Sequence, residues 1–381
     1  MKVPFYGHVR QYQNIKAEID ANIQKVIFSE QYTLGRTLKE FEEAFAKYCQ
    51  RKYAIGVNSG TDAIWLALMA LDIGPGDECI VPGSTFFATA EAVWITGATP
   101  VFVDIDPLTK CIDTTKIEQA ISEKTKAIIP VHFYGQLSDM RSIHRIAQKH
   151  NLYIVEDSAQ AIDAHGDGFA IGEYAQAATF SFIAQKNLGT FGDSGAIVTD
   201  DEKLATRLRM LRNHGSLKRG QHSFGFNSRL DDIHAGILLA KLKHIHQWTN
   251  QRRSVAHRYS QGLSTIEDIR LPYEIDGYRH CFHLYVIETK QAKDRDPLLQ
   301  YLQDHNIEAK THYPISTHLQ DGFPWGKPFV FSGDLAHAED NTARCISLPM
   351  NPELRPEEVN FVISKVHEWS KSKVYEVALS K

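Results

Sequence analysis

No apolar stretch in the chain approaches the roughly 18 residues that a membrane-spanning helix requires, and residues 1–10 lack the basic-then-apolar pattern of a secretory leader. The expected address is the cytoplasm, with no membrane partner. A dominant charge is lacking too: 42 Lys and Arg against 46 Asp and Glu leave a formal net charge of -4, so no strong field for nucleic acid is implied. Cysteine is scarce. Cys49, Cys79, Cys111, Cys281 and Cys345 are odd in number, scattered and never paired as Cys-x-x-Cys, which argues against a disulfide framework or structural zinc. They read as reduced packing residues. The 18 His are plentiful, yet none falls in a His-Glu-x-x-His spacing, and no metal is expected. Internal repeats and low-complexity linkers are absent.

What the chain does have is alternation. Its 381 residues exceed one ordinary core and suggest two domains, or one large domain with a smaller companion. Short apolar runs at 53–57, 78–81, 100–104, 127–131, 153–157, 177–183 and 195–199 read as buried strands. Helical periods separate them, with Ile64, Leu68 and Leu71 on one face of 61–71, and others at 142–150, 202–211 and 231–242. Repeated strand–helix–strand units predict an α/β fold with a mainly parallel, seven-stranded sheet covered on both faces, within residues 1–249. Beyond Trp248 the alternation weakens. A strand at 281–289 and helices at 296–305 and 356–371 predict a smaller α+β domain over 250–381.

Ligands of an open parallel sheet gather beyond the carboxyl ends of its strands, and four polar segments fall there. Asn58 to Asp62 ends a strand and starts a helix, whose free N–H groups suit a phosphate; taken alone, plain capping by Ser59 or Thr61 is the commoner reading. Asp157 ends the apolar strand 153–157, where a carboxylate wants a cation; for an isolated Asp, a structural salt bridge or a helix cap is the commoner explanation. Lys186 lies in the turn between two strands; most turn lysines are merely solvated, but a lysine amine forms Schiff bases, and pyridoxal phosphate (PLP) enzymes pair it with an Asp at the pyridinium nitrogen. Asn227 to Asp232 precedes a helix and, alone, is a capping segment. Together they give the order PLP requires: phosphate turn, aspartate, lysine.

With these residues in place, the chain resembles the DegT/StrS family of sugar aminotransferases from Pro4 to about Val366. The matching stretches are 58–62, 74–78, 131–136, 155–160, 186–192, 227–232, His312-Tyr313-Pro314-Ile315 and Ser347-Leu348-Pro349-Met350. The resemblance implies the fold type I architecture, with Lys186 carrying PLP covalently and shuttling protons while Asp157 keeps the pyridine nitrogen protonated. It places Gln160 at the ring hydroxyl and Phe86 on the ring face, although Phe86 by itself is equally a core residue. Gly60, Thr61 and Ser181 hold the phosphate, and Asn227 reaches it from the second subunit of a homodimer with shared sites. His312 and Tyr313 line the sugar pocket. Lys218 and Arg219 are candidates for a diphosphate clamp, an ordinary surface loop being the alternative.

The implied reaction moves an amino group from glutamate to a nucleotide-linked keto sugar, with the match leaning toward a dTDP-linked 3-keto-6-deoxyhexose over a 4-keto one. Two positions depart from the pattern. Ile183-Ala184-Gln185 replace a Tyr-Pro-Thr, removing an aromatic hydroxyl, and Asn351 stands where many relatives have His. A dehydratase of the same family would carry His in place of Lys186. A regulatory, non-catalytic PLP protein would tolerate loss of Lys186 or Asp157, and both are present.

Overall fold

The structure, a computed structural model, describes residues 1–218, 220–320 and 326–379. Helices α1 (His8–Asn14), α2 (Lys16–Ser29) and α3 (Arg36–Tyr48) precede the first strand. In α3, Leu38, Phe41 and Phe45 recur at helical spacing. They form a buried stripe whose phenyl rings meet Phe180 and Phe182 edge-on at 5.1–5.6 Å.

Strands β1 (Tyr53–Val57), β2 (Glu78–Pro82), β3 (Thr99–Val103), β4 (Thr125–Ile128), β5 (Tyr153–Asp157), β6 (Ala177–Ser181) and β7 (Gly195–Thr199) build the main sheet, and α4 (Gly60–Ala70), α5 (Ala88–Thr96), α6 (Met140–His150) and α7 (Glu202–Leu211) connect them. The strand interiors are largely apolar because both faces are covered, with polar residues at some strand ends such as Glu156 and Asp157 of β5. Alternate residues feed two separate cores: Ile80, Val101, Ile154 and Val198 point to the side of α3 and α6, whereas Val81, Phe102, Val155 and Ile197 point to α4, α5 and α7.

The remaining elements are α8 (Asp232–Leu242), α9 (Ile245–Leu263), β8 (Ile269–Arg270), β9 (Tyr285–Thr289), α10 (Arg295–Asp304), β10 (Val330–Ser332), α11 (Ala336–Arg344), β11 (Cys345–Leu348) and α12 (Pro356–Leu379). The main sheet has eight strands in the order β1-β7-β6-β5-β4-β2-β3-β10, parallel except where β7 opposes β1 and β6. The expected seven are all present. The eighth, β10, is a three-residue edge strand, too short and too exposed to mark itself by periodicity. Cys281 to Leu284 are not strand as expected: Cys281 and Leu284 donate their N–H groups to the carbonyls of Gly135 and Tyr134, at 3.1 and 3.2 Å, which draws this segment onto the loop after β4.

A three-stranded antiparallel sheet, β11-β9-β8, packs with α9, α10 and α12 around Tyr259, Tyr285, Ile287, Leu302 and Val362. Val3, from the start of the chain, joins this core and bridges to Ile307. The division expected at 249/250 falls inside α9, which seats Trp248 in one core of the large sheet and Val255 in the core of the small one. The five cysteines are buried and free. Among the described residues no helix is long and apolar enough to cross a membrane, and no group of His, Cys, Asp or Glu converges as metal ligands.

Candidate active site

The carboxyl ends of β1, β2, β4, β5 and β6 lie along one edge of the sheet, and the polar segments singled out by the sequence meet there. Ser59 caps α4, its hydroxyl accepting the Asp62 N–H at 3.0 Å. The first N–H groups of a helix have no partner within it, and those of Gly60 and Thr61 belong to this set. Gly60 is required by closeness: a Cβ there would fall 2.6 Å from the Ser181 Cβ. Gly60, Thr61 and Ser181 are thereby brought together across β1 and β6. Asp62 is anchored by the Trp65 indole N–H at 3.2 Å and the Ser228 hydroxyl at 2.5 Å. Ser228 is buried while its neighbour Asn227 is exposed.

Asp157, at the end of β5, is 5% exposed. One carboxylate oxygen accepts from the Thr89 hydroxyl at 2.8 Å, the other from the Ala159 N–H at 3.1 Å. Thr89 is itself hydrogen-bonded to Thr85 at 3.0 Å. Among the described residues no Lys, Arg or His pairs with Asp157, so this buried charge is oriented but lacks a counter-ion, which is what a pyridinium nitrogen supplies. Behind it, His132 accepts the Ser138 N–H on Nδ1 at 3.2 Å, which leaves Nε2 to donate to Glu156 at 2.9 Å. Glu156 also accepts the Gly172 N–H at 3.1 Å, and the whole buried pair braces the strand that carries Asp157.

Lys186 sits in the tight turn after β6, its N–H donating to the Ile183 carbonyl at 2.8 Å. Burial lowers its pKa to about 8, with the Asp157 charge opposing the shift. A lysine with a depressed pKa offers more free amine near neutrality, as a nucleophile and a proton carrier must. Gln160 accepts the Tyr134 N–H at 2.8 Å through its amide oxygen, leaving its NH2 to donate, and the Tyr313 phenol is 3.4 Å from that nitrogen. Phe86 is 52% exposed and is not a core residue; its ring lies 5.4 Å from that of Tyr313.

His312 bonds Ser347 through Nδ1 at 2.8 Å, and burial, then the charges of Lys310 and Lys186, hold its pKa down at about 4. Burial and the nearby Asp157 charge raise the Tyr313 phenol. Asn351 is buried against the start of the chain, donating to the carbonyls of Phe5 and Pro4 at 3.2 and 3.4 Å. A Cβ on Gly7 would fall 2.5 Å from its side-chain oxygen. Asn351 therefore clamps the N-terminal segment. Lys218 is exposed, and among the described residues its side chain has no ion pair. Arg219 lies outside the described residues. Ile183 is half-buried beside the lysine turn.

Thr89, Tyr134, His132 and Glu156 were not given roles by sequence. A helical threonine looks alike whether or not its hydroxyl meets a carboxylate; His132 and Tyr134 carry a signal in their position within the 131–136 match, and Glu156 in its position within 155–160. The set fits PLP: unpaired helix N–H groups for a phosphate, an oriented carboxylate for the ring nitrogen and a depressed lysine between them.

Comparison with known proteins agrees. The model of the DegT/DnrJ/EryC1/StrS aminotransferase family matches residues 13–367. The chain is 44% identical to a pleiotropic regulatory protein of Geobacillus stearothermophilus, over 97% of this chain and 99% of the relative. It is 42% identical to the dTDP-3-amino-3,4,6-trideoxy-alpha-D-glucose transaminase of Streptomyces venezuelae, over 97% and 96%. The crystal structure of S. venezuelae DesV in complex with a ketimine intermediate superposes with a TM-score of 0.93 at 42% identity, covering 97% of this chain and 98% of that one. Solved structures similar to this chain contain the cofactor in its PMP and PLP forms. The chain belongs to the DegT/DnrJ/EryC1/StrS family and is a PLP-dependent sugar aminotransferase.

Proposed function

We propose that the enzyme transfers an amino group from glutamate to the keto group of a dTDP-linked 3-keto-6-deoxyhexose, for amino-sugar biosynthesis in the cytoplasm. The observation that carries this reading is the junction of Gln160 with Tyr313, which sets the candidate sugar wall, His312 and Tyr313, directly beside the residues that hold the cofactor. The substrate named for the Streptomyces venezuelae relative, an amino sugar nucleotide aminated at C3, supports the same choice.

PLP, when bound, supplies an electrophilic carbon for the amino group and an electron sink for the adjacent charge. Lys186 holds it and moves the proton between donor or sugar carbon and cofactor. Asp157, fixed by Thr89 and the Ala159 N–H, keeps the proton on the ring nitrogen. The amide of Gln160 orients the ring, Phe86 covers one face, and the N–H groups at the start of α4 with Ser181 take the phosphate. The exposed Asn227, together with Phe224 at 73% exposure, supports a second subunit of a homodimer closing the site. Lys218 and Arg219 form the proposed diphosphate clamp.

The test is turnover with glutamate against a panel of keto sugar nucleotides, following 2-oxoglutarate release and product mass. A dTDP-linked 3-keto-6-deoxyhexose should react fastest; amination of the 4-keto isomer with the 3-keto sugar rejected overturns the choice of carbon. Mixing Lys186→Ala with an Asn227→Ala variant weakened in PLP binding, under conditions of subunit exchange, should restore activity if the sites are shared.

A further inference from the structure

The N-terminal segment clamped by Asn351 extends the wall of the pocket. Aromatic rings run in series from Phe86 to Tyr313, His312, Phe5, Tyr6 and His8, with successive centroids 5.4, 5.6, 5.6, 4.8 and 5.1 Å apart. Lys310 stands at the outer part of this series, its ammonium 4.4 Å from the Tyr6 ring centroid and 5.0 Å from that of Phe5. Its backbone is locked to Ser347 by two hydrogen bonds, of 3.1 and 2.7 Å, and the same serine holds His312. Lys310 and His312 are thus fixed two residues apart on one rail.

Lys310 forms no ion pair among the described residues. Glu308, the nearest carboxylate in sequence, is engaged by Lys2 at 3.2 Å and by the Phe5 N–H at 3.0 Å. The neighbouring cations are also without carboxylates: Arg252, almost fully buried, donates to the carbonyls of Met350 at 3.0 Å and Phe282 at 3.3 Å, and Lys241 donates to the Gly189 carbonyl at 2.5 Å. Burial first, and then the charges of Lys241, Arg252 and Lys310, all positive, hold the His8 imidazole below its usual range. Buried cations such as Arg252 and Lys241 are costly without an anion; the half-buried Lys310 feels Glu308 only at longer range, with no ion pair formed, so its ammonium stays available to an arriving carboxylate.

An aminotransferase admits its donor and its acceptor in turn to one pocket. The sugar ring of a 6-deoxyhexose is neutral, whereas glutamate brings a carboxylate at each end. We propose that Lys310, seated on the aromatic wall formed with Tyr6 and His8, recognises a carboxylate of the amino donor and selects a dicarboxylic amino acid; this rests on the reading above that glutamate is the donor. Lys310 is a specificity residue here, since the reacting carbon is served by Lys186.

The experiment separates donor binding from turnover. In PLP-loaded protein, Lys310→Met should weaken binding of 2-oxoglutarate, read by calorimetry, about tenfold or more. The glutamate concentration that half-bleaches the cofactor absorbance should rise by a similar factor. The response to norvaline, which lacks the distal carboxylate, should stay as it was, and Lys310→Arg should recover most of the glutamate response. Unchanged 2-oxoglutarate binding in Lys310→Met overturns the proposal, and so does a loss confined to dTDP binding, which would assign the ammonium to nucleotide phosphates. A wild-type protein whose cofactor ignores glutamate instead overturns the donor in the functional reading.

Discussion

The edge proposed to hold the cofactor and the proposed outer pocket wall are built in opposite ways. Along the edge, Asp157 and Ser181 end buried strands and Lys186 sits in the turn that follows β6, so the large sheet itself sets their spacing, and the partners of Asp157 are a backbone N–H group and a short hydroxyl. The wall joins Phe5 to Glu308, 303 residues apart, and depends on single clamps such as Asn351 and Ser347. On the proposed reading, the chemistry is mounted on the sheet, while selectivity is mounted on segments held by single contacts.

Breaking the edge should therefore abolish chemistry. Lys186→Ala is expected to lose about a thousandfold or more in transamination, with circular dichroism unchanged and no cofactor fixed by borohydride; activity within tenfold of native would remove Lys186 from the mechanism. Asp157→Asn keeps the shape but not the charge, and a loss on the order of a hundredfold in kcat is expected. Native turnover in that variant would demote the carboxylate to a structural role.

The same edge can be read by pH. Because burial lowers Lys186 to about 8 from the ordinary lysine value of 10.5, its amine is free at a lower pH than a solvated lysine. PLP uptake by the apoprotein should accelerate through a midpoint near pH 8 and level off above it; a midpoint near 10 would mean the pocket does not desolvate the amine. Thr89→Val removes one of two hydrogen bonds orienting Asp157, worth about 0.5–1.5 kcal/mol, so kcat/KM should fall roughly two- to tenfold. The wall answers differently. Asn351→Ala should cost about 1–3 kcal/mol in urea denaturation and leave the cofactor absorbance untouched; an altered absorbance would tie the clamp to the edge after all.

This contrast also explains what could be read from sequence. Strands buried on both faces announce themselves as apolar runs, so the seven long strands and the polar residues just beyond them were legible. Helix α3 has a clear apolar stripe but lies ahead of the alternating pattern, and in α9 the buried Val255, Tyr259 and Leu263 are diluted by arginines and histidines. The three-residue β10 exists only because β3 offers it an edge. Thr89 and the His132–Glu156 pair become functional through contacts that no local spacing encodes, and Phe5, Tyr6 and His8 gain meaning only when the chain's two ends meet.

That α9 is seated in two cores has a mechanical consequence. Trp248 and Val255 are about two turns apart on one rod, so the lobes share a beam. Cutting the chain at 249 would sever that beam, and heating the intact protein should melt both lobes in one step.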